Sequence, residues 1–190
     1  KFLERAQGGR AHVDSLSHHD EAPTFGRRGF EGGGNRPLVT RVGKDGWDAV
    51  PEDERDGLTP AAEATIAYRE YLFGLGLNRA PTAPVSAMDP KLDRFIRAQQ
   101  TWDRAFACNI VRALERPDPP LVIGIIGRGH LEYGHGTPYQ LRDLGIASVA
   151  VLLPARGSLN DASPMKGIAD AIFTLTEPDP AAVPVNTGRA

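Results

Sequence analysis

Five side chains able to bind, ionise or donate fall within one short stretch, "GIIGRGHLEYGHGTP" at 124–138: Arg128, His130, Glu132, Tyr133 and His135. Gly127, Gly129, Gly134 and Gly136 are set among them. Glycine lets a backbone come close to a ligand or take positive φ. Imidazole serves as a base or as a metal ligand, and an adjacent carboxylate can orient it. A phenolate oxygen is one of the axial ligands accepted by ferric haem iron. The stretch therefore reads as a ligand-binding or catalytic loop. The bland alternative is a glycine-rich turn with solvated histidines.

The loop must be held by something, and the flanking pattern says what. "LVIGIIG" at 121–127 is short, apolar and rich in branched residues, which predicts a buried strand. "SVAVLLP" at 148–154 and "DAIFTLT" at 170–176 predict two more. "YQLRDLGI" at 139–146 fits a short helix between them. Upstream, residues 90–114 give the clearest helix. Leu92, Phe95, Ile96, Trp102, Phe106, Ile110 and Leu114 form its apolar stripe, behind an Asp89-Pro90 start signal. Thr59-Pro60 marks another helix start, and 37–50 reads as a short helix and turn. Continuous apolar strands alternating with helices predict an α/β domain with a largely parallel sheet. In such sheets ligands bind outside the carboxyl ends of the strands, where 127–135 falls. Gln100 and Asp103 lie three residues apart on the long helix, so they share a face. They are expected to support the loop. Cys108 reads as a small buried hydrophobe.

The bulk numbers exclude some classes. Across 190 residues, 22 Lys and Arg face 24 Asp and Glu, for a net charge of -2. That gives no basic excess for nucleic-acid binding. A single cysteine allows no intrachain disulfide framework. No apolar run has membrane-spanning length and no signal peptide is visible. "GIIGRGH" fits neither G-x-G-x-x-G nor a phosphate-binding P-loop, so nucleotide binding is disfavoured. Residues 1–34 are glycine- and arginine-rich with weak periodicity, and read as irregular apart from a short helix at 1–7. The expected organisation is that segment, one α/β domain over 35–178, and a flexible tail at 179–190.

"AQQTWDRAFACNI" at 98–110 followed by "LVIGIIGRGHLEYGHGTPYQL" at 121–141 resembles the ChaN-like haem-binding uptake family of the Tiki/TraB/erythromycin-esterase-like superfamily. Gln100, Trp102, Asp103, Ala107 and Ile110 match its helix motif. Gly127, Gly129, His130, Tyr133, Gly136 and Pro138 match its loop motif. Phe106 replaces the usual methionine and Arg128 stands where asparagine is frequent. "NRPLVTRVGKDGWDAVPEDERDGLTP" and "ADAIFTLTEP" are similar to the family's earlier and final segments, so the resemblance spans roughly 35–178.

The resemblance implies a haem or iron-porphyrin site with Tyr133 as iron ligand. His130 or His135 would be a second ligand or a hydrogen-bond partner of the phenolate, with Gly129 in the loop and Arg128 on a propionate. The role implied is uptake or transfer, in an exported, periplasmic or lipid-anchored setting. The superfamily also implies an alternative, a hydrolase, metal-dependent or not, built on His130 with Glu132 or Asp103. A third reading is a non-catalytic interaction domain. The family's L-G-E-x-H segment has no counterpart in 1–34, where His12, His18 and His19 are the candidates and read best as solvated. The chain is therefore expected to be a C-terminal part or a reduced domain, with a partner segment or a second copy covering exposed sheet.

Overall fold

Asp89 and Pro90 open the element that organises the chain. The Asp89 side chain accepts from Lys91 N, capping a 3-10 turn at Pro90–Leu92 that runs into a long helix. The computed structural model describes residues 36–75, 83–156 and 166–175. Four α-helices run through them: α1 (Arg36–Asp45), α2 (Ile66–Gly74), α3 (Asp93–Leu114) and α4 (Thr137–Asp143). Two strands follow, β1 (Leu152–Arg156) and β2 (Ala171–Leu175). The strands pair in parallel, with Leu152 opposite Ala171 and Arg156 opposite Leu175. The fold is thus helix-rich with a small parallel sheet. The expectations for 1–34 and for the tail lie outside the described residues.

Helix α3 is the expected 90–114 helix, but its buried face is not the expected stripe. Ile96, Gln100, Thr101, Asp103, Arg104, Ala105, Ala107 and Cys108 are buried, whereas Phe95, Trp102, Phe106, Ile110 and Leu114 are half-buried. The reason lies in what α3 packs on. Its main neighbours are α1 and α4 rather than the sheet. Small residues on α3 allow close approach, and Ala105 and Cys108 join Leu38, Val42, Val50 and Leu58 in one apolar cluster. A second cluster unites Tyr68 and Leu72 of α2 with Leu92 and Ile96. A third lies beneath the strands, where Val151, Leu153 and Ile168 meet Leu131 from the loop.

Two of the three predicted strands form, shifted by a few residues in the case of 148–154. The stretch 121–127 does not. It forms no ladder, and Leu121, Ile123 and Ile125 are 89%, 79% and 88% exposed. A strand needs a neighbour to take its backbone groups, and among the described residues none lies beside this one. Of its residues only Val122 and Ile126 are half-buried, and a Cβ added at Gly124 would lie 3.8 Å from Ile110 of α3. The helix expected from Thr59-Pro60 also starts late. Residues 59–65 are not helical, and Thr65 is the N-cap, its side chain accepting from Tyr68 N. The side chains of Arg104 and Gln100 claim the earlier stretch instead, through Thr59 Oγ1 (2.8 Å) and the Ala62 carbonyl (2.5 Å).

The α1–α3 contact is close because Gly43 carries no side chain. A Cβ there would sit 3.1 Å from the Arg94 carbonyl oxygen and 3.2 Å from Ala98 Cβ. Arg97 closes the joint by donating to the Gly43 carbonyl at the end of α1 (Nη2, 2.8 Å), a favourable place for a cation. Gly43→Leu should therefore force the helices apart and lower stability by about 1–3 kcal/mol, the usual cost of overpacking. Urea unfolding checks this, and a variant as stable as the parent would show that the joint is not tight.

Candidate functional site

Asp103 is fully buried, with 0% exposure. Burying a carboxylate is costly unless donors surround it, and three do. Tyr68 Oη donates to Oδ2 at 2.6 Å. His130 Nδ1 (2.9 Å) and Thr137 Oγ1 (3.1 Å) both meet Oδ1. The contributors come from α2, the glycine loop and the first turn of α4. The expected link between Asp103 and the loop is therefore present, and it runs through a side chain rather than loop amides. Gln100, expected beside it, turns the other way to the Ala62 carbonyl and supports 59–62 instead.

The loop itself is two 3-10 turns, Arg128–His130 and Glu132–Gly134. Gly136 follows, where α4 begins. A Cβ on Gly136 would lie 2.6 Å from the His130 carbonyl oxygen and 2.7 Å from Asp103 Oδ1. No other residue type fits between them without displacing one. The loop is fixed on its other side by Tyr133 N, which donates to the Ile168 carbonyl at 2.8 Å. Ile168 lies just before β2, so the second strand's approach holds the loop in place.

A second network sits beside the first. Glu132 is buried and accepts from Tyr71 Oη at 2.7 Å and from Arg128 Nε. The sequence offered Glu132 as an orienting group for His130. Asp103 takes that place, and Glu132 holds Tyr71 and Arg128. Tyr133 is 42% exposed and has φ 55°, the left-handed region that bulky side chains rarely adopt. Its ring stands edge-on to Tyr71 (5.9 Å) and close to His135 (5.8 Å). Tyr68 and Tyr71 also flank His135, at 6.1 and 6.0 Å. Neither His130 nor His135 bonds the Tyr133 hydroxyl. Phe106 and the His130 ring make a T-shaped contact at 5.4 Å, with Trp102 stacked on Phe106.

Burial pushes the phenols of Tyr68 and Tyr71 well above their usual range, helped by Asp103 and Glu132 respectively. Both remain donors. Burial holds the His135 imidazole below its usual value. Tyr68, Tyr71 and Thr137 were missed in the sequence. The first two were legible in principle, since tyrosines three apart share a helix face. Thr137 carried no signal beyond its place before Pro138.

A cavity of about 450 Å³ lies elsewhere, between α1, residues 60–64 and α3, with Trp47, Arg69, Arg97 and Gln100 in its wall. Apart from Gln100 it contains none of the predicted site residues. The residues singled out in the sequence gather instead in the polar cluster of the loop. Among the described residues, no three His, Cys, Asp or Glu side chains form a metal-holding group, and no helix is long and apolar enough to cross a membrane.

The family model described as "Haem-binding uptake, Tiki superfamily, ChaN" matches residues 33–141, which include α1 to α3, the loop and most of α4. No curated protein and no solved structure matches the chain.

Asp103→Ala should leave the buried hydroxyls of Tyr68 and Thr137 without an acceptor, at about 1–3 kcal/mol each. Urea unfolding at neutral pH measures this, and a loss within error of zero would remove Asp103 from its central place. The low-lying His135 gives a pH signature. Between its folded pKa and the unfolded value of about 6.5, the unfolded chain binds more protons, so stability rises with pH. That contribution is complete above about pH 6.5 and is lost as pH falls. His135→Phe keeps a ring among Tyr68, Tyr71 and Tyr133 and should flatten that part of the stability profile. An unchanged slope would assign it to another group.

Proposed function

The chain belongs to the ChaN haem-binding uptake family of the Tiki superfamily, and from that premise we propose that its loop 127–138 binds haem or a related iron-porphyrin for uptake or transfer. The observation that carries this reading is the state of Tyr133. A tyrosine in a left-handed backbone position costs on the order of 1 kcal/mol or more, yet this one presents an exposed ring and a hydroxyl with no hydrogen-bond partner among the described residues. Such strain gathers at functional sites.

The donor set fits the group. Haem supplies a ferric iron that accepts an anionic oxygen ligand, and the Tyr133 hydroxyl is the ligand proposed for it. Tyr71 holds the Tyr133 ring by its edge contact, and Glu132 holds Tyr71. His135 lines the same ring cluster, which favours its uncharged form. His130 is bound to Asp103 through Nδ1, so Nε2 is its remaining donor atom toward a ligand. Arg128 already meets Glu132 through Nε, so its other guanidinium N–H groups are those left for a propionate. Gly129 keeps the loop backbone open beside Tyr71.

One observation favours a second reading. The Asp103–His130 pair has the form of an oriented general base, as a hydrolase would need. A metal-assisted version would draw further ligands from outside the described residues.

Hemin titration tests the first reading. The parent should give a Soret band, and Tyr133→Phe should weaken binding about tenfold or more, an interaction of roughly 1.4 kcal/mol, and alter the spectrum. His130→Ala should weaken it less if Tyr133 is the ligand. If both variants bind as the parent does, or the parent does not bind, the loop is not an iron-porphyrin site. Ester or peptide hydrolysis lost in His130→Ala would then favour the second reading.

A further inference from the structure

Tyr68 reaches both histidines of the loop by separate routes. Its ring lies 6.1 Å from His135. Its hydroxyl meets the carboxylate that meets His130. We infer that Tyr68 is a positioning residue for His130: acting through Asp103, it fixes the imidazole with its proton on Nδ1 and leaves the Nε2 lone pair as the loop's open donor atom. The inference rests on the function proposed above only for which ligand meets Nε2.

A carboxylate accepts and does not donate, so the ring nitrogen facing Asp103 Oδ1 must carry hydrogen. That holds only while Oδ1 faces His130. A carboxylate with one partner can swing about its χ2 torsion, which is soft. Here Tyr68 holds Oδ2 and Thr137 shares Oδ1, so the plane of the group is set from both ends. Tyr68 is itself well fixed. It is 2% exposed, it packs with Leu72, Leu92 and Ile96, and its backbone N–H is capped by Thr65. Burial keeps its phenol protonated, so it remains a donor. A T-shaped contact with Phe106 also confines the His130 ring. Nδ1 is thereby committed, and Nε2, across the ring, has no partner among the described residues. An open Nε2 lone pair is suited to an electron-pair acceptor such as a porphyrin iron, or to a proton-donating ligand.

The test reads the tautomer directly. The full chain is labelled with 15N-histidine and observed by two-bond 1H–15N correlation at about pH 8, above the usual histidine pKa of about 6.5. His130→Gln identifies the His130 signal by its loss. The parent should show a protonated Nδ1 and an unprotonated Nε2. Tyr68→Phe removes one hydroxyl and keeps the ring beside His135, so the His130 signals should move to values averaged over both tautomers. A parent with its proton on Nε2, or a Tyr68→Phe variant with the parent's single tautomer, would overturn the inference. Asp103→Asn supplies an independent variant. The Tyr68 hydroxyl should claim the amide oxygen and leave the amide NH2 facing His130, which must then accept at Nδ1 and carry its proton on Nε2. Retention of Nδ1–H in that variant would also count against Tyr68. Failure of the parent to bind hemin would sink the proposed function and leave these tautomer results standing.

Discussion

Everything near the loop depends on one buried carboxylate. Asp103 is shut off from bulk solvent, so the structure must bring donors to it. Doing so ties together segments far apart in sequence: Tyr68 from α2, His130 from the loop and Thr137 from α4. The cost of leaving that group unsatisfied is what makes the arrangement specific. A loop placed a few ångströms away would strand a charge in the interior. The glycine at 136 is the steric counterpart of the same constraint, since the carboxylate and the His130 carbonyl occupy the space a side chain would need.

The second network obeys the same logic on a smaller scale. Glu132 is buried by its neighbours and matched by Tyr71 and Arg128. Together the two carboxylates immobilise both turns of the loop through side chains, which a glycine-rich backbone could not achieve by itself. Tyr68 and Tyr71 rise from adjacent turns of α2 and serve one carboxylate each. Their rings also enclose His135, so one short helix governs most of the loop's polar surroundings.

The sequence was most legible where local chemistry decides the outcome. The start of α3 at Asp89-Pro90 is readable because a side-chain cap and a proline act within one turn. The loop was readable because its residue types are unusual for a turn. The expectation that Asp103 meets the loop comes from its helix face, and Asp103 does contact His130. The failures share a cause, in that they concern which partner a residue meets. Gln100 and Asp103 share a helix face, but Gln100 finds the Ala62 carbonyl and Asp103 finds His130. The apolar stripe of α3 follows from residue spacing, which does not reveal that the helix packs on α1 and α4. Residues 121–127 have the composition of a buried strand, but composition does not supply the neighbouring strand that would make them one. Thr59 lost its capping role to Thr65 because Arg104 reaches it from α3.

The hydrogen bond from Tyr133 N to the Ile168 carbonyl is made by the main chain alone. It does not require a phenol at position 133, only a residue with a backbone N–H. The path of the loop and the identity of its outermost group are therefore separable traits. Selection could exchange the latter while the former stayed intact, and relatives with different chemistry at this position could retain the same scaffold. A substitution at position 133 would then change the chemistry the loop presents without rebuilding the architecture around it.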